Sequence, residues 1–264
     1  FNRASKEFDE ECSFEDLMEA FKKNLIEDIQ TSDIEKLLVK TCIDLVTVEN
    51  IAWQNVAARI LLGGLYKQAL KNRNIEQSDV YSPSSYKALF DDYIERGLYY
   101  KDFYKYYSEE DILEAGKHLS KETDETYEYT TIVSLIKRYL LNPNKVTKEL
   151  PQEMYMSIAL FLAIPETAET RLETALKIYK HCSEQRISLP TPTLLNSRTN
   201  YHQLSSCFKI NVDDDLRGIY HAVENMAQIS KFGGGVGVYL GNIRARGSMI
   251  RGVKGMSGGV NPWV

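Results

Sequence analysis

Along the first 185 residues apolar positions recur at intervals of three and four, the period of helices that bury one face. Ile34, Leu37, Leu38 and Leu45 share one face. They follow Ser32-Asp33-Ile34-Glu35, a capping box in which serine and glutamate would satisfy first-turn N–H groups. A second helix is expected from Ile51 to Leu70 with Val56, Ile60 and Leu61 inward, and Ser108-Glu109-Glu110-Asp111 should start another before Ile112 and Leu113. Glu153 to Ile164 is almost wholly apolar, which predicts a buried helix stopped by Pro165, and a further helix should run from Ala168 to about His181.

From Ser188 the pattern changes. Leu189-Pro190-Thr191-Pro192 cannot lie inside a helix, because each proline removes a donor and restricts the residue before it. Leu204 to Val212 then alternates: Leu204, Ser206, Phe208, Ile210 and Val212 point one way, and Ser205, Cys207, Lys209 and Asn211 the other. Asp213-Asp214-Asp215 should cap a helix from about Leu216 to Ser230, and Val236 to Leu240 reads as a second strand. Strand, crossover helix and strand in that order predict a parallel pair. The fold class is therefore α+β to α/β, an all-helical N-terminal part followed by a β-α-β start.

Composition sharpens this division, since ten of the fifteen glycines fall between Gly233 and Gly259, where the chemistry is to be sought. A net charge of −5 is a poor match to a nucleic-acid binder that works by neutralising phosphates, and favours free nucleotides or proteins as partners. Cys12, Cys42, Cys182 and Cys207 have neither zinc-site spacing nor the density of a secreted disulfide scaffold, so a reducing, cytoplasmic setting is expected. The longest apolar run, Met154 to Ile164, falls far short of the roughly 20 residues that span a bilayer. The chain opens at Phe1 without the apolar stretch of a signal peptide and ends inside a structured-looking region, and it reads as one piece of a longer, split or processed protein.

Among candidate sites Cys207 stands out, because it follows two serines on the more polar face of its strand. Taken alone, a buried inert thiol is the commoner state of such a residue, and a redox role needs a second thiol within a few ångströms. Gly233-Gly234-Gly235-Val236-Gly237 could bring backbone close to a phosphate or sugar, or could form a tight turn into a strand. It is neither a dinucleotide fingerprint, since Leu240 stands where a glycine is needed, nor a P-loop. Arg244, Arg246 and Arg251 form a short basic loop suited to phosphate oxygens or simply to solvent. Asp214 could accept from a ribose hydroxyl or a base, or could cap the helix. His118, His181, His202 and His221 have no metal-ligand spacing, so no metal site is expected, and the tyrosines from Tyr99 to Tyr107 are expected to be packing contacts.

Taken together, Ile187-Ser188-Leu189-Pro190-Thr191-Pro192, Leu204-Ser205-Ser206-Cys207, Asp214 through Ile219, Gly234-Gly235-Val236-Gly237 and Ile243-Arg244-Ala245-Arg246-Gly247-Ser248 to Ile250-Arg251-Gly252 resemble the large subunit of class I ribonucleotide reductase. Order and gaps agree over roughly the last 80 residues. The resemblance implies an enzyme that reduces ribonucleoside diphosphates to deoxyribonucleotides in a ten-stranded α/β barrel. Cys207 would be one of two thiols that supply electrons. Thr191, Ser206, Cys207 and Gly235 would contact substrate, and Asp214, Asp215, Leu216, Arg244 and Arg251 would bind the deoxynucleotide effector that selects the substrate. Residues 1–70 look like the remainder of an ATP-cone, with Thr31 and Lys67 at its nucleotide-contacting positions and the cone's opening strand pair missing. Residues 71–186 would be the helical domain, and 187–264 the truncated start of the barrel. No covalently bound cofactor is implied. The effectors would be ATP and deoxynucleotides, and the radical would come from a metal-containing small subunit. The partners implied are that subunit, the rest of the large subunit and a second copy in a homodimer or higher oligomer, with no nucleic acid and no membrane. Without the downstream thiols, this polypeptide alone is expected to give no turnover. Two rival readings are an adenosylcobalamin-dependent (class II) reductase of the same superfamily, and a non-catalytic regulatory or assembly fragment that binds a nucleotide.

Overall fold

The computed structural model describes residues 1–8, 10–25, 29–75, 80–252 and 254–264; the side chains of residues 31 and 32 also lie outside the described set. The chain divides into two compact units, Phe1–Pro190 with Leu194–His202, and Thr191–Thr193 with Gln203–Val264.

The first unit is helical. It opens with α1 (Asn2–Ser5), α2 (Phe14–Asn24), α3 (Thr31–Asp44) and α4 (Trp53–Arg73). Their shared core is small and apolar, with Cys12, Leu17, Val39, Cys42, Trp53 and Val56 all buried. Two details differ from expectation. Helix α3 begins after Gln30, with no side-chain cap, and not at Ser32, whose side chain lies outside the described residues. Its most buried positions are Val39, Thr41 and Cys42, while Ile34, Leu37, Leu38 and Leu45 are only half-buried, because α3 packs on α4 through a face one step round from the leucine stripe. Asn74 ends α4 in a left-handed conformation (φ 57°), a C-terminal stop that asparagine tolerates.

Next come α5 (Pro83–Glu95), α6 (Glu109–Gly116), α7 (Lys121–Asp124), α8 (Tyr129–Ser134), α9 (Pro151–Leu162) and α10 (Ala168–Ser183). The expected cap at Ser108 is present: its hydroxyl accepts from Asp111 N at 3.1 Å, and Asp111 accepts from Ser108 N at 2.8 Å. Helix α9 is the buried one, with Glu153, Met154 and Met156 to Leu160 inaccessible. One face of α9 packs on an aromatic core of Tyr86, Phe90, Tyr93, Tyr99 and Phe103. Its other face, through Met154 and Ile158, packs with Leu62, Leu65 and Tyr66 of α4. So the Tyr99–Tyr107 stretch is a packing element, with Tyr99, Phe103 and Tyr107 all buried.

Charge is buried here as well as hydrocarbon. Arg198 and Glu149 are both inaccessible and meet in a two-pronged pair, Nε to Oε1 and a terminal nitrogen to Oε2, each 2.9 Å. Arg73 pairs likewise with Glu153. Neither pairing can be read from local pattern, because the partners lie 49 and 80 residues apart.

A short helix, α11 (Thr191–Asn196), carries Pro192 in its first turn, where the missing N–H has no intrahelical role. The second unit is β1 (Cys207–Asn211), α12 (Leu216–Lys231) and β2 (Gly235–Tyr239). The strands pair in parallel, Cys207 with Gly235 through Asn211 with Tyr239. Along β1, Phe208 and Ile210 are half-buried while Cys207, Lys209 and Asn211 are exposed, which is the predicted alternation. The predicted crossover is therefore present, and its core is Val212, Ile219, Ala222 and Ile243. None of the described helices is long and apolar enough to cross a membrane.

Candidate functional site

The chemistry of the second unit gathers at the entry to the two strands. Cys207 opens β1, which begins three residues later than the Leu204 start expected, and its side chain is exposed and not packed among hydrocarbon. Its Sγ lies 3.5 Å from Ser206 Oγ. The other three cysteines are buried, and burial pushes the thiols of Cys12 and Cys42 up to about 11 and about 12, which keeps them protonated at neutral pH. Cys207 is thus the accessible thiol of the four.

Glycine is needed beside it for two reasons. Gly233 turns the chain at φ 81°, a left-handed conformation that suits a residue with no Cβ. A Cβ on Gly234 would lie 2.5 Å from Ile229 Cγ2 and 2.7 Å from Phe208 Cε2, so this residue lets α12 close onto β1. Gly235 then donates its N–H to Ser206 O at 2.7 Å, which brings Ser206, Cys207 and Gly235 to one edge. The resemblance names these three together with Thr191 as substrate contacts, and Thr191 opens α11.

A second grouping lies at the start of α12. Asp215 is the N-cap, its Oδ1 accepting from Gly218 N at 2.9 Å. Asp214 does something else. Its Oδ2 accepts from Arg244 Nε at 2.7 Å, its Oδ1 from Arg244 N at 3.0 Å, and its carbonyl from the same guanidinium at 3.1 Å. The Arg244 backbone N–H first, and its guanidinium after that, hold the Asp214 carboxyl below the usual carboxylate range. Arg244 also reaches Met249 O at 3.3 Å. Sequence reasoning considered these two residues as separate ligand contacts and missed that they bind each other; nothing local signals a pairing across 30 residues. The pair pins the loop that follows β2 to the N-terminus of α12 and leaves both groups one-third exposed.

Beyond it, Met249 and Met256 form an antiparallel bridge, with Ile250 N donating to Gly255 O at 3.1 Å. Arg251 lies exposed at the turn of this hairpin, without a hydrogen bond or ion pair among the described residues. Leu216 is 63% exposed and, with Asp215, Arg217, Tyr220 and His221, borders an open depression of about 880 Å³.

The first unit holds a cavity of its own, about 710 Å³, walled by α1, α3, α4 and α7. Lys67 lines it; Thr31 opens α3, but its side chain lies outside the described residues. The lining adds cations the sequence did not single out, namely Arg3, Arg59 and Lys121, against Glu35 and Glu125. Arg59 is nine-tenths buried and donates to Ala4 O at 3.2 Å and to Glu7, yet its Nε has no partner. Lys67 and Lys121 make no ion pair among the described residues. An open cavity with unpaired cations and a buried, unsatisfied guanidinium N–H is suited to an anion.

Comparison with known proteins bears on both units. A family model described as the ribonucleotide reductase all-alpha domain matches residues 125–202, and one described as the ribonucleotide reductase barrel domain matches residues 205–264. The ribonucleoside-diphosphate reductase subunit alpha of Treponema pallidum (strain Nichols) is 36% identical over 246 residues, 92% of this chain and 28% of that protein. Its counterpart in Synechocystis sp. is 37% identical over 239 residues, 90% of this chain and 30% of that protein. The large subunit from vaccinia virus is 39% identical over 142 residues, 53% of this chain. The chain therefore spans under a third of the length of the first two relatives.

Proposed function

The chain belongs to the ribonucleotide reductase large-subunit family, and from that premise we propose that it forms part of a class I ribonucleoside-diphosphate reductase. It would supply one redox thiol and two nucleotide sites. The observation that carries this reading is the exposed Cys207 thiol beside Ser206 and Gly235 on the first parallel strand pair.

In this reading Cys207 gives up its thiol hydrogen and forms a disulfide with a second cysteine of the complete enzyme while a ribonucleotide is reduced. Ser206, Gly235 and Thr191 hold the substrate. When a small subunit is bound, it supplies the radical that starts the reaction. Asp215, Leu216 and Arg251 receive the deoxynucleotide effector at the start of α12, in a loop set in place by Asp214 and Arg244. An effector phosphate would meet Arg251 unhindered, whereas Arg244 offers only the donors that Asp214 and Met249 leave free. Residues 1–70 act as a reduced ATP-cone, with Lys67 and Thr31 beside the cation-lined cavity. Residues 71–186 are its helical companion, and 187–264 begin the barrel.

Reconstitution tests the proposal. A large subunit completed to the length of its relatives and containing this chain should reduce ribonucleoside diphosphates when mixed with a metal-containing small subunit. It should not do so with adenosylcobalamin alone, and Cys207→Ser should abolish multiple turnover. Reduction supported by adenosylcobalamin would move the protein to the cobalamin class, and a Cys207→Ser enzyme that still turns over would remove the redox assignment.

A further inference from the structure

Next to the cation-lined cavity lies a fully buried carboxylate that no reading so far uses. Asp124 ends α7, the helix whose first residue, Lys121, lines the cavity, and the following residue, Glu125, lines it too. Asp124 Oδ2 accepts from Tyr66 OH at 2.5 Å, and Tyr66 is itself part of the cavity wall. Tyr81 OH donates to the same oxygen and Gln152 Nε2 to Oδ1 at 2.8 Å. From Gln152 the chain of bonds continues to Tyr179 OH on α10 at 2.6 Å and to Tyr127 OH at 3.0 Å. One residue, Tyr66, thus links the cavity wall to the buried carboxylate.

We propose that Asp124 is a protonation-controlled brake on anion binding in this cavity: ionised, it opposes a polyphosphate lodged against Tyr66, Lys67 and Lys121, and neutral, it does not. The inference rests on the nucleotide reading of the cavity and adds its regulation. Two like charges close together in a buried region repel, so a bound anion favours protonated Asp124, and protonation of Asp124 favours the anion by the same factor.

The surroundings make Asp124 the group that switches. Facing it are Tyr66 from α4, Tyr81 before α5, Tyr127 before α8, Tyr155 from α9 and Tyr179 from α10, and burial pushes all five phenols above their ordinary value, so they stay neutral below pH 8. Glu153 of α9 also faces it; burial raises the Glu153 carboxyl too, against the pull of its pair with Arg73. Glu125 follows it in sequence and lies 4.0 Å from Arg3. Burial pushes Asp124 itself up to about 6, against the pull of its three hydrogen-bond donors.

The test is calorimetry with ATP on the wild-type chain and on Asp124→Asn, at pH 7.5 and pH 5.0. Taking the ratio of the two proteins at each pH cancels the titration of ATP and of every group they share. A shift of about one unit in Asp124 on binding corresponds to about tenfold in affinity. The asparagine variant should therefore bind ATP about tenfold more tightly at pH 7.5 and equally at pH 5.0. Should the variant not fold, Tyr66→Phe removes one donor to the carboxylate and should move the pH at which affinity changes upward. A ratio of one at pH 7.5, or the same ratio at both values, overturns the brake. If Lys67→Ala abolishes ATP binding while that ratio stays at one, only the brake falls. Absence of ATP binding throughout removes the nucleotide reading and the brake together.

Discussion

Arg198 gives the most demanding test of how the helical unit is held together. Replacing it with methionine keeps the bulk of the side chain and removes the charge. Four contacts go with it: two to Glu149, at 2.9 Å each, one to Tyr139 O at 2.7 Å and one to Leu194 O. Glu149 keeps its bonds from Tyr99 OH and Leu141 N, both 2.6 Å, but its charge is then buried with no counter-ion. Breaking one side of such a pair costs about 3–5 kcal/mol, because the remaining charge keeps its desolvation penalty and loses its compensation. For a chain of this size that lowers the melting temperature by roughly 6–20 °C. Urea unfolding followed by far-ultraviolet circular dichroism would measure it. The double variant Arg198→Met with Glu149→Gln removes both charges together, so its cost should fall below the sum of the two single costs by about 1–3 kcal/mol. A single-variant loss under about 1 kcal/mol, or single costs that simply add, would refute the buried-pair account.

Three further outcomes follow from the same structure. Asp124, raised to about 6 from an unfolded value near 3.8, binds its proton more tightly folded than unfolded. Its contribution to stability is therefore complete below about pH 4 and lost as pH rises through 6, on the order of 3 kcal/mol at most, and urea midpoints from pH 4 to 7 should show a slope in this window that Asp124→Asn removes. Gly234→Ala places a methyl group against Ile229 and Phe208 and should destabilise the chain by about 1–3 kcal/mol through overpacking, seen as a lower urea midpoint. Titration with dTTP should lose affinity in both Arg251→Ala and Arg244→Ala. Only the second should also increase amide exchange around Met249, because Arg244 holds that loop to Asp214.

Periodicity made much of this architecture legible. The alternation from Leu204 to Val212 and the three aspartates before Leu216 each report a local demand, strand pleat and helix cap, and the parallel pair follows from them. The buried helix at Met154 was legible for a different reason, since its sequence is apolar on nearly every side. Partnerships that depend on tertiary closure were not legible. Nothing near Arg198 announces a carboxylate 49 residues earlier, and nothing near Asp214 announces Arg244, because either aspartate of the cap could have stayed in solvent. The face of α3 was displaced for a related reason: Val39 and Cys42 join Trp53 and Val56 in the buried core, while Leu38 and Leu45 pack against it only partly buried. At the candidate site the residue types were readable from Ser206, Cys207 and Gly235, whereas the cavity beside Lys67 emerged only when α1, α4 and α7 were brought together.

The central claim is that Cys207 is a redox thiol, and differential alkylation tests it most directly. A completed large subunit, reduced and then freed of reductant, is mixed with its small subunit and a ribonucleoside diphosphate, quenched, and labelled with iodoacetamide for peptide mass analysis. Cys207 should label fully before turnover and lose its label in proportion to the deoxynucleotide formed, regaining it after dithiothreitol. Cys207 that labels equally before and after product formation would contradict the account.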